Sequence, residues 1–253
     1  MGFMGFFRKR TVRHIRRVYV KLKPFSHELS SRQAGTMRIR KKKWAEPELA
    51  ECRYYINEPE QYRGRWKEYY GNDKPIELEI GCGKCTFSAE KAIRDPDKNF
   101  IALDIKSDML GVGRRNVERI FAENDRVPDN IALVRCNVEQ IDKAFSADDH
   151  IAVMYINFCN PWPREKHKKR RLTYPRKLKM YRDFLTDDAV IYFKTDDDEL
   201  FEESIGYFEQ ARYTIRFITR DLHHSEVRDN IMTEHEKMFS DEGIPIKYLE
   251  ATV

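Results

Sequence analysis

Asn160-Pro161-Trp162-Pro163 sets an amide, two prolines and an indole together and runs directly into Arg164-Glu165-Lys166-His167-Lys168-Lys169-Arg170-Arg171. That set suits a nucleobase and a phosphate backbone at once. An amide meets a planar base at its edge and an indole at its face, while Lys and Arg contact phosphates without reading sequence. The ordinary fate of a charge run is a solvated face, so the assignment depends on what the rest of the chain supplies.

A second group supplies it. In Glu77-Leu78-Glu79-Ile80-Gly81-Cys82-Gly83-Lys84-Cys85 the two glycines let the backbone turn tightly and approach a ligand where a Cβ would collide. Asp104 follows Gly83 by 21 residues, the separation at which an acid closing a second strand binds ribose hydroxyls. The dinucleotide fingerprint is incomplete, because Thr86 stands where its third glycine belongs. Glu79 precedes the loop as an acid placed to hold an ammonium group. An adenosine with a cationic amino-acid tail, S-adenosylmethionine, satisfies Glu79 and Asp104 better than NAD does. Cys82 and Cys85 have metal-ligand spacing but no second Cys/His pair, so they are expected to be small residues of a tight loop, with no metal.

The elements that position these groups alternate. Ile76–Ile80, Phe100–Leu103, Ile131–Val134, Ile151–Ile156 and Ala189–Phe193 read as strands. Cys85–Arg94, Lys106–Asn124, Tyr174–Leu185 and Glu199–Gln210 read as helices. Tyr213–Ile218 and Lys247–Val253 are late strands, with a helix from about Thr233. The alternation predicts an α/β, Rossmann-like doubly wound fold with a mostly parallel seven-stranded sheet. Ligands of such sheets sit beyond the carboxyl ends of the strands. The candidate segments are therefore Glu79 to Gly83, Asp104, Asn137, Asn157 to Trp162, and Thr195-Asp196.

Charge is unevenly spread. Residues 1–43 hold 14 of the chain's 47 Lys and Arg but one of its 42 Asp and Glu, leaving 33 basic against 41 acidic residues elsewhere. A basic arm and a cationic cluster on an acidic body favour a localised contact with an anionic polymer. Five cysteines fit reduced thiols and a cytoplasmic setting. No apolar run approaches the roughly 20 residues of a membrane span, and the N-terminal Phe3, Met4, Phe6 and Phe7 do not make a signal peptide. No membrane and no protein partner is implied.

From Met37 to the C-terminus the chain resembles the bacterial tRNA (guanine-N7)-methyltransferases, members of the S-adenosylmethionine-dependent methyltransferases. The matching blocks are Met37-Arg38-Ile39-Arg40 with Trp44-Ala45, Tyr62-Arg63-Gly64-Arg65-Trp66, Glu79-Ile80-Gly81-Cys82-Gly83-Lys84, and Asn157-Phe158 with Pro161-Trp162-Pro163. They continue with His167 and Lys169-Arg170-Arg171-Leu172-Thr173, Phe193-Lys194-Thr195-Asp196, Asp221-Leu222-His223, and Asn230-Ile231-Met232-Thr233-Glu234-His235-Glu236. The resemblance implies a methyltransferase domain over 37–253 that moves a methyl group from S-adenosylmethionine to N7 of the guanine at tRNA position forty-six, in the variable loop. Residues 1–36 are then a basic extension, or a stretch upstream of a true start at Met37. It further implies that Glu79, Gly81, Gly83, Asp104, Asn137 and Asn160 contact the cofactor. Arg164, Asp196, Thr233, Glu234, His235 and Glu236 are implied to contact tRNA and guanine, and Asn160 takes the catalytic place. Thr233 and Glu236 also have capping-box spacing.

Three residues depart from the family pattern: Asn160 and Asn137 stand where Asp is usual, and Cys85 where a third glycine is common. Guanine N7 is a lone pair without a proton, so methylation there needs in-line positioning and charge stabilisation rather than a base. The Asn160 carbonyl is expected to accept an N–H from guanine or cofactor, with Glu79, Asp196 or Glu236 supplying negative charge, and no histidine is needed. The competing reading, motivated by the two amides, is a catalytically impaired tRNA-binding protein of the same fold.

Overall fold

The computed structural model describes residues 41–253; the expected extension 1–36 and the block Met37 to Arg40 lie outside the described residues. In chain order the helices are α1 (Ala45–Ala50), α2 (Trp66–Tyr70), α3 (Thr86–Arg94), α4 (Ser107–Glu123), α5 (Ile141–Ala144), α6 (Pro175–Tyr181), α7 (Asp198–Gln210) and α8 (Glu234–Asp241). The strands are β1 (Tyr55–Ile56), β2 (Ile76–Ile80), β3 (Asn99–Asp104), β4 (Ile131–Arg135), β5 (Ile151–Asn157), β6 (Leu185–Thr195), β7 (Thr214–Thr219) and β8 (Lys247–Thr252). They form one sheet in the order β1-β4-β3-β2-β5-β6-β8-β7. Pairing is parallel except at β8, which runs antiparallel to β6 and β7.

Both sheet faces are covered. Ile76, Leu78 and Ile80 join a core with Trp66, Leu178, Tyr181, Phe201 and Phe208, from α2, α6 and α7. Against the other face Leu49, Ala89, Ala92, Leu110, Val117 and Phe121 bring α1, α3 and α4. Alternation along β2 turns Glu77 and Glu79 to the face opposite its isoleucines, yet both acids are buried. Glu77 is consumed there, receiving the Tyr155 hydroxyl at 2.7 Å and the Lys98 ammonium at 2.5 Å. The strand order reverses between β2 and β5, which places the ligand crevice at the carboxyl ends of those two strands.

Two expectations are corrected. The sheet has eight strands rather than seven, because Tyr55 and Ile56 pair with Leu133 and Val134 along β4; two residues carry no period to read. Leu185 opens β6 rather than closing a helix: α6 stops at Tyr181, and Leu185 pairs with Ile151 before a register shift hands the pairing to Val153 and Val190. The polar stretch Thr186-Asp187-Asp188 conceals that beginning. The Tyr62 to Trp66 block is architectural. Gly64 turns at φ +75°, and Asp149 accepts its N–H at 2.9 Å and that of Trp66 at 3.2 Å.

Candidate active site

At the end of β2 the chain turns through Gly81 (φ +76°) and Gly83 (φ +54°) before α3 begins. The Gly81 and Cys82 N–H groups both bond to the Leu103 carbonyl, at 2.8 and 3.0 Å, which ties the loop to β3. At Gly81 it is the left-handed backbone that favours glycine, since a Cβ there would meet Leu172 only at an ordinary 3.4 Å. Asp104 closes β3: one carboxylate oxygen accepts the Gly83 N–H at 3.1 Å, the other the Lys106 N–H at 2.8 Å. Burial raises its pKa against these bonds.

Glu79 lies on the other side of the loop. Its carboxylate is 4% exposed and receives the Ser88 hydroxyl at 2.6 Å and the Asn157 amide at 3.0 Å. Burial pushes its pKa up to about 7, with both bonds opposing. Glu79, Gly81, Gly83 and Asn157 line a cavity of about 80 Å³ closed by Thr233, Glu234 and His235. Lys84 of the loop pairs with Glu234 across it at 2.5 Å. A larger cavity of about 460 Å³ shares Phe87 and Asn157 with the first and is walled by Tyr155, Tyr192 and Tyr248.

Cys85, the expected departure from a third glycine, holds a left-handed backbone at φ +58° as the residue before α3. Its sulfur overlaps the place where a Cβ of Gly113 would be, so the side chain is accommodated because α4 carries no side chain there. Cys82 and Cys85 are free and buried, their sulfurs 3.5 Å apart.

Beyond β5 the turn differs from expectation. The Asn160 carbonyl accepts the Trp162 N–H at 3.0 Å, and Phe158 and Trp162 stand at φ +49° and +44°. The sequence reading gave that oxygen to a guanine or cofactor N–H; in the structure it also braces the turn through the left-handed Trp162, with one lone pair left over. Asn160 is exposed and lies outside both cavities. Trp162 is likewise covered by the Arg170 guanidinium, 5.1 Å from its ring centre, and by His167, rather than walling a pocket. Asn137 caps the turn Val138–Gln140, its carbonyl accepting the Glu139 N–H at 3.0 Å.

The cationic run divides in two. Arg171 is fully buried, donating to the Pro161 carbonyl at 2.6 Å, to Glu203 at 2.6 Å and to Glu199 at 3.2 Å. Lys168 pairs with Glu165, Glu199 and Glu203. Arg164, Lys166, Lys169 and Arg170 stay exposed, and among the described residues none of the four forms a salt bridge.

On the opposite side Thr233 caps α8 with Glu236 in a capping box. Glu236 is fully buried and accepts from Lys194, His223, Asn230 and the Thr233 N–H. Its expected contact with guanine is replaced by support from beneath, since no face of the carboxylate is open. Thr233, Glu234 and His235 do face the cavity, His235 stacking on Phe158 with ring centres 6.1 Å apart. Asp196 is half-buried, its pKa raised by burial and by Asp197. Glu79, Gly81, Gly83, Asp104, Thr233, Glu234 and His235 thus gather around one loop, whereas Asn137, Asn160, Arg164 and Asp196 line neither cavity. Ser88 and Lys194 escaped the sequence reading as functional residues. The signal for Ser88 was a hydroxyl in the first turn of the helix facing a buried strand acid.

This sheet, with its glycine loop flanked by two strand-end acids at the switch point, defines a methyltransferase of Rossmann-like fold. Residues 73–249 match the family model Methyltransf_4, described as "Putative methyltransferase". The fold superposes on a 16S rRNA methyltransferase, KamB, with a TM-score of 0.56 at 10% identity, over 75% of this chain and 92% of that one. It superposes on an antibiotic-related methyltransferase with a TM-score of 0.54 at 14% identity, over the same shares. In sequence the chain is 54% identical over 215 residues to the tRNA (guanine-N(7)-)-methyltransferase of Clostridium beijerinckii, covering 85% of this chain and 98% of that protein. It is 46% identical to the corresponding protein of Acetivibrio thermocellus, covering 85% and 99%. The chain belongs to the tRNA (guanine-N7)-methyltransferase family.

Proposed function

We propose that this protein transfers a methyl group from S-adenosylmethionine to N7 of a guanine in tRNA, the guanine at position forty-six of the variable loop. The observation that carries the reading is the placement of Glu79 and Asp104 on the two sides of a loop whose two glycines hold left-handed backbone, in a chain of this family. The donor set fits the cofactor: a buried carboxyl for its ammonium end, a strand-end carboxylate for its ribose hydroxyls, and left-handed glycines where its chain passes. Once bound, S-adenosylmethionine supplies an electrophilic methyl group. The protein's own share is positioning, because N7 presents a lone pair and no proton has to leave it.

The exposed Arg164, Lys166, Lys169 and Arg170 take phosphates and set the register of the RNA. Thr233, Glu234 and His235 meet the base from the α8 side, and Asp196 and the Asn160 turn border it from the ends of β6 and β5. Glu234 and the half-buried Asp196 offset the positive charge that moves onto the ring. The five free thiols support a reducing, cytoplasmic setting, and no described helix is long and apolar enough to cross a membrane. Incubation with methyl-labelled cofactor and an unmodified tRNA transcript, with the product mapped to base and atom, tests the reading. Label at N7 of the variable-loop guanine is expected; label elsewhere, or none, overturns it.

A further inference from the structure

Lys194 is the penultimate residue of β6 and is buried, and its ammonium has three protons to place. They go to the Asn230 side-chain oxygen at 3.0 Å, the Ile231 carbonyl at 3.1 Å and the Glu236 carboxylate at 2.8 Å. All three acceptors belong to one segment, 230–236, the one that closes the cavity over the glycine loop. The carboxylate in turn receives His223 at 2.8 Å and the Asn230 amide, so a single buried ion pair binds β6, residue 223 and the segment together. The ammonium also lies 5.5 Å from the centre of the Phe87 ring, in the first turn of α3.

Burying two unlike charges is stabilising only when each is fully hydrogen-bonded, and here every proton and both oxygens are engaged. Hydrophobic side chains would fill the space as well, but they would not fix the segment's height above the sheet. A three-pronged ammonium does fix it, because its acceptors are a side chain, a backbone carbonyl and a carboxylate at three successive places along the segment.

We infer that Lys194 is the positioning residue for the RNA-contacting segment, holding Asn230 to Glu236 so that Thr233, Glu234 and His235 meet the target base beside the methyl donor. The inference deepens the function proposed above and rests on it. Lys194 touches neither RNA nor cofactor in this role.

The test uses the full chain and the double variant Lys194→Met/Glu236→Leu, which removes both charges and leaves neither unpaired. KM for tRNA should rise about tenfold, the order expected from losing charge-assisted hydrogen bonds that hold a binding segment. Calorimetric affinity for S-adenosylhomocysteine, read at about pH 9 so that the loss of the Lys194 charge near Glu79 does not alter that acid's ionisation, should stay within about twofold of wild type. Amide hydrogen exchange should quicken in 228–236 and not in β2 or α3. Asn230→Ala, which keeps the ion pair and withdraws one partner from each member, should move KM the same way by less, and keeps the test open if the double variant fails to fold. Unchanged KM and exchange, or a parallel loss of cofactor affinity, would overturn the assignment. Wild-type protein that does not methylate tRNA at all would instead count against the function proposed above, and exchange in 228–236 still reports on the anchor.

Discussion

The Asn157 amide donates to the Glu79 carboxylate at 3.0 Å across the boundary between β5 and β2, where the strand order reverses. The bond fixes the acid at the cavity wall, and burial leaves its pKa near 7 rather than at the ordinary 4.5. Since only the ionised form attracts an ammonium group, cofactor affinity should climb between pH 6 and 8, by up to about tenfold per unit below the pKa. Calorimetric titration of wild type and Glu79→Gln across that range measures it; the slope should vanish in the variant, and an equal slope in both would remove Glu79 from the cofactor's amine. Stability has the opposite sign. The folded protein holds this proton to a higher pH than the unfolded chain does, so the Glu79 contribution declines as pH rises from about 4.5 to about 7.

Asp104→Ala should weaken cofactor binding by about 1–3 kcal/mol, the loss of a charged acceptor at the ribose. The loop it braces through Gly83 should loosen as well. Unchanged affinity by calorimetry would exclude Asp104 from the site.

Neutralising Arg164, Lys166, Lys169 and Arg170 together should flatten the dependence of tRNA affinity on log salt by about 0.7–0.9 for each phosphate pairing removed, with cofactor affinity untouched. Filter binding over a salt series gives the slope. A slope equal to wild type would make the run an ordinary solvated surface.

Arg171→Ala belongs to another class. It removes a buried guanidinium that joins Pro161 to Glu199 and Glu203, and should lower stability by about 1–3 kcal/mol. The figure stays modest because both acids keep partial access to water. Denaturant midpoints decide between this and the alternative, a variant as stable as wild type that binds tRNA poorly.

Asn160→Ala should cut turnover by about tenfold or more, through a turn that no longer holds Trp162. Asn160→Asp keeps an acceptor for the Trp162 N–H and adds negative charge near the base, so its turnover should equal or exceed that of wild type. Single-turnover rates separate the two, and a wild-type rate in Asn160→Ala would show that this turn has no part in turnover.

The glycine loop and its two flanking acids were legible in the sequence because strand ends announce themselves. Ile76 to Ile80 is apolar on alternate residues, glycines follow, and Asp104 closes the next strand at a readable distance. The RNA side was less so. Glu236 looks like a cap and is one, but its burial depends on Lys194, 42 residues earlier in the chain and adjacent only in space. Lys168 and Arg171 look no different from their neighbours until α7 offers Glu199 and Glu203. The basic run reads as one patch, and tertiary contacts make it two.

The meeting of Cys85 and Gly113 carries an evolutionary consequence. A sulfur that overlaps the place of an absent Cβ means that any side chain at 113 must displace the Cys85 side chain or the helix. With glycine at 85 the sulfur is gone and the Lys84 carbonyl carbon, 3.4 Å away, remains, so a substitution at 113 should cost less once 85 has changed than before. A library that randomises α4 one residue at a time would score Gly113 as intolerant, and would mistake this epistasis for a catalytic requirement.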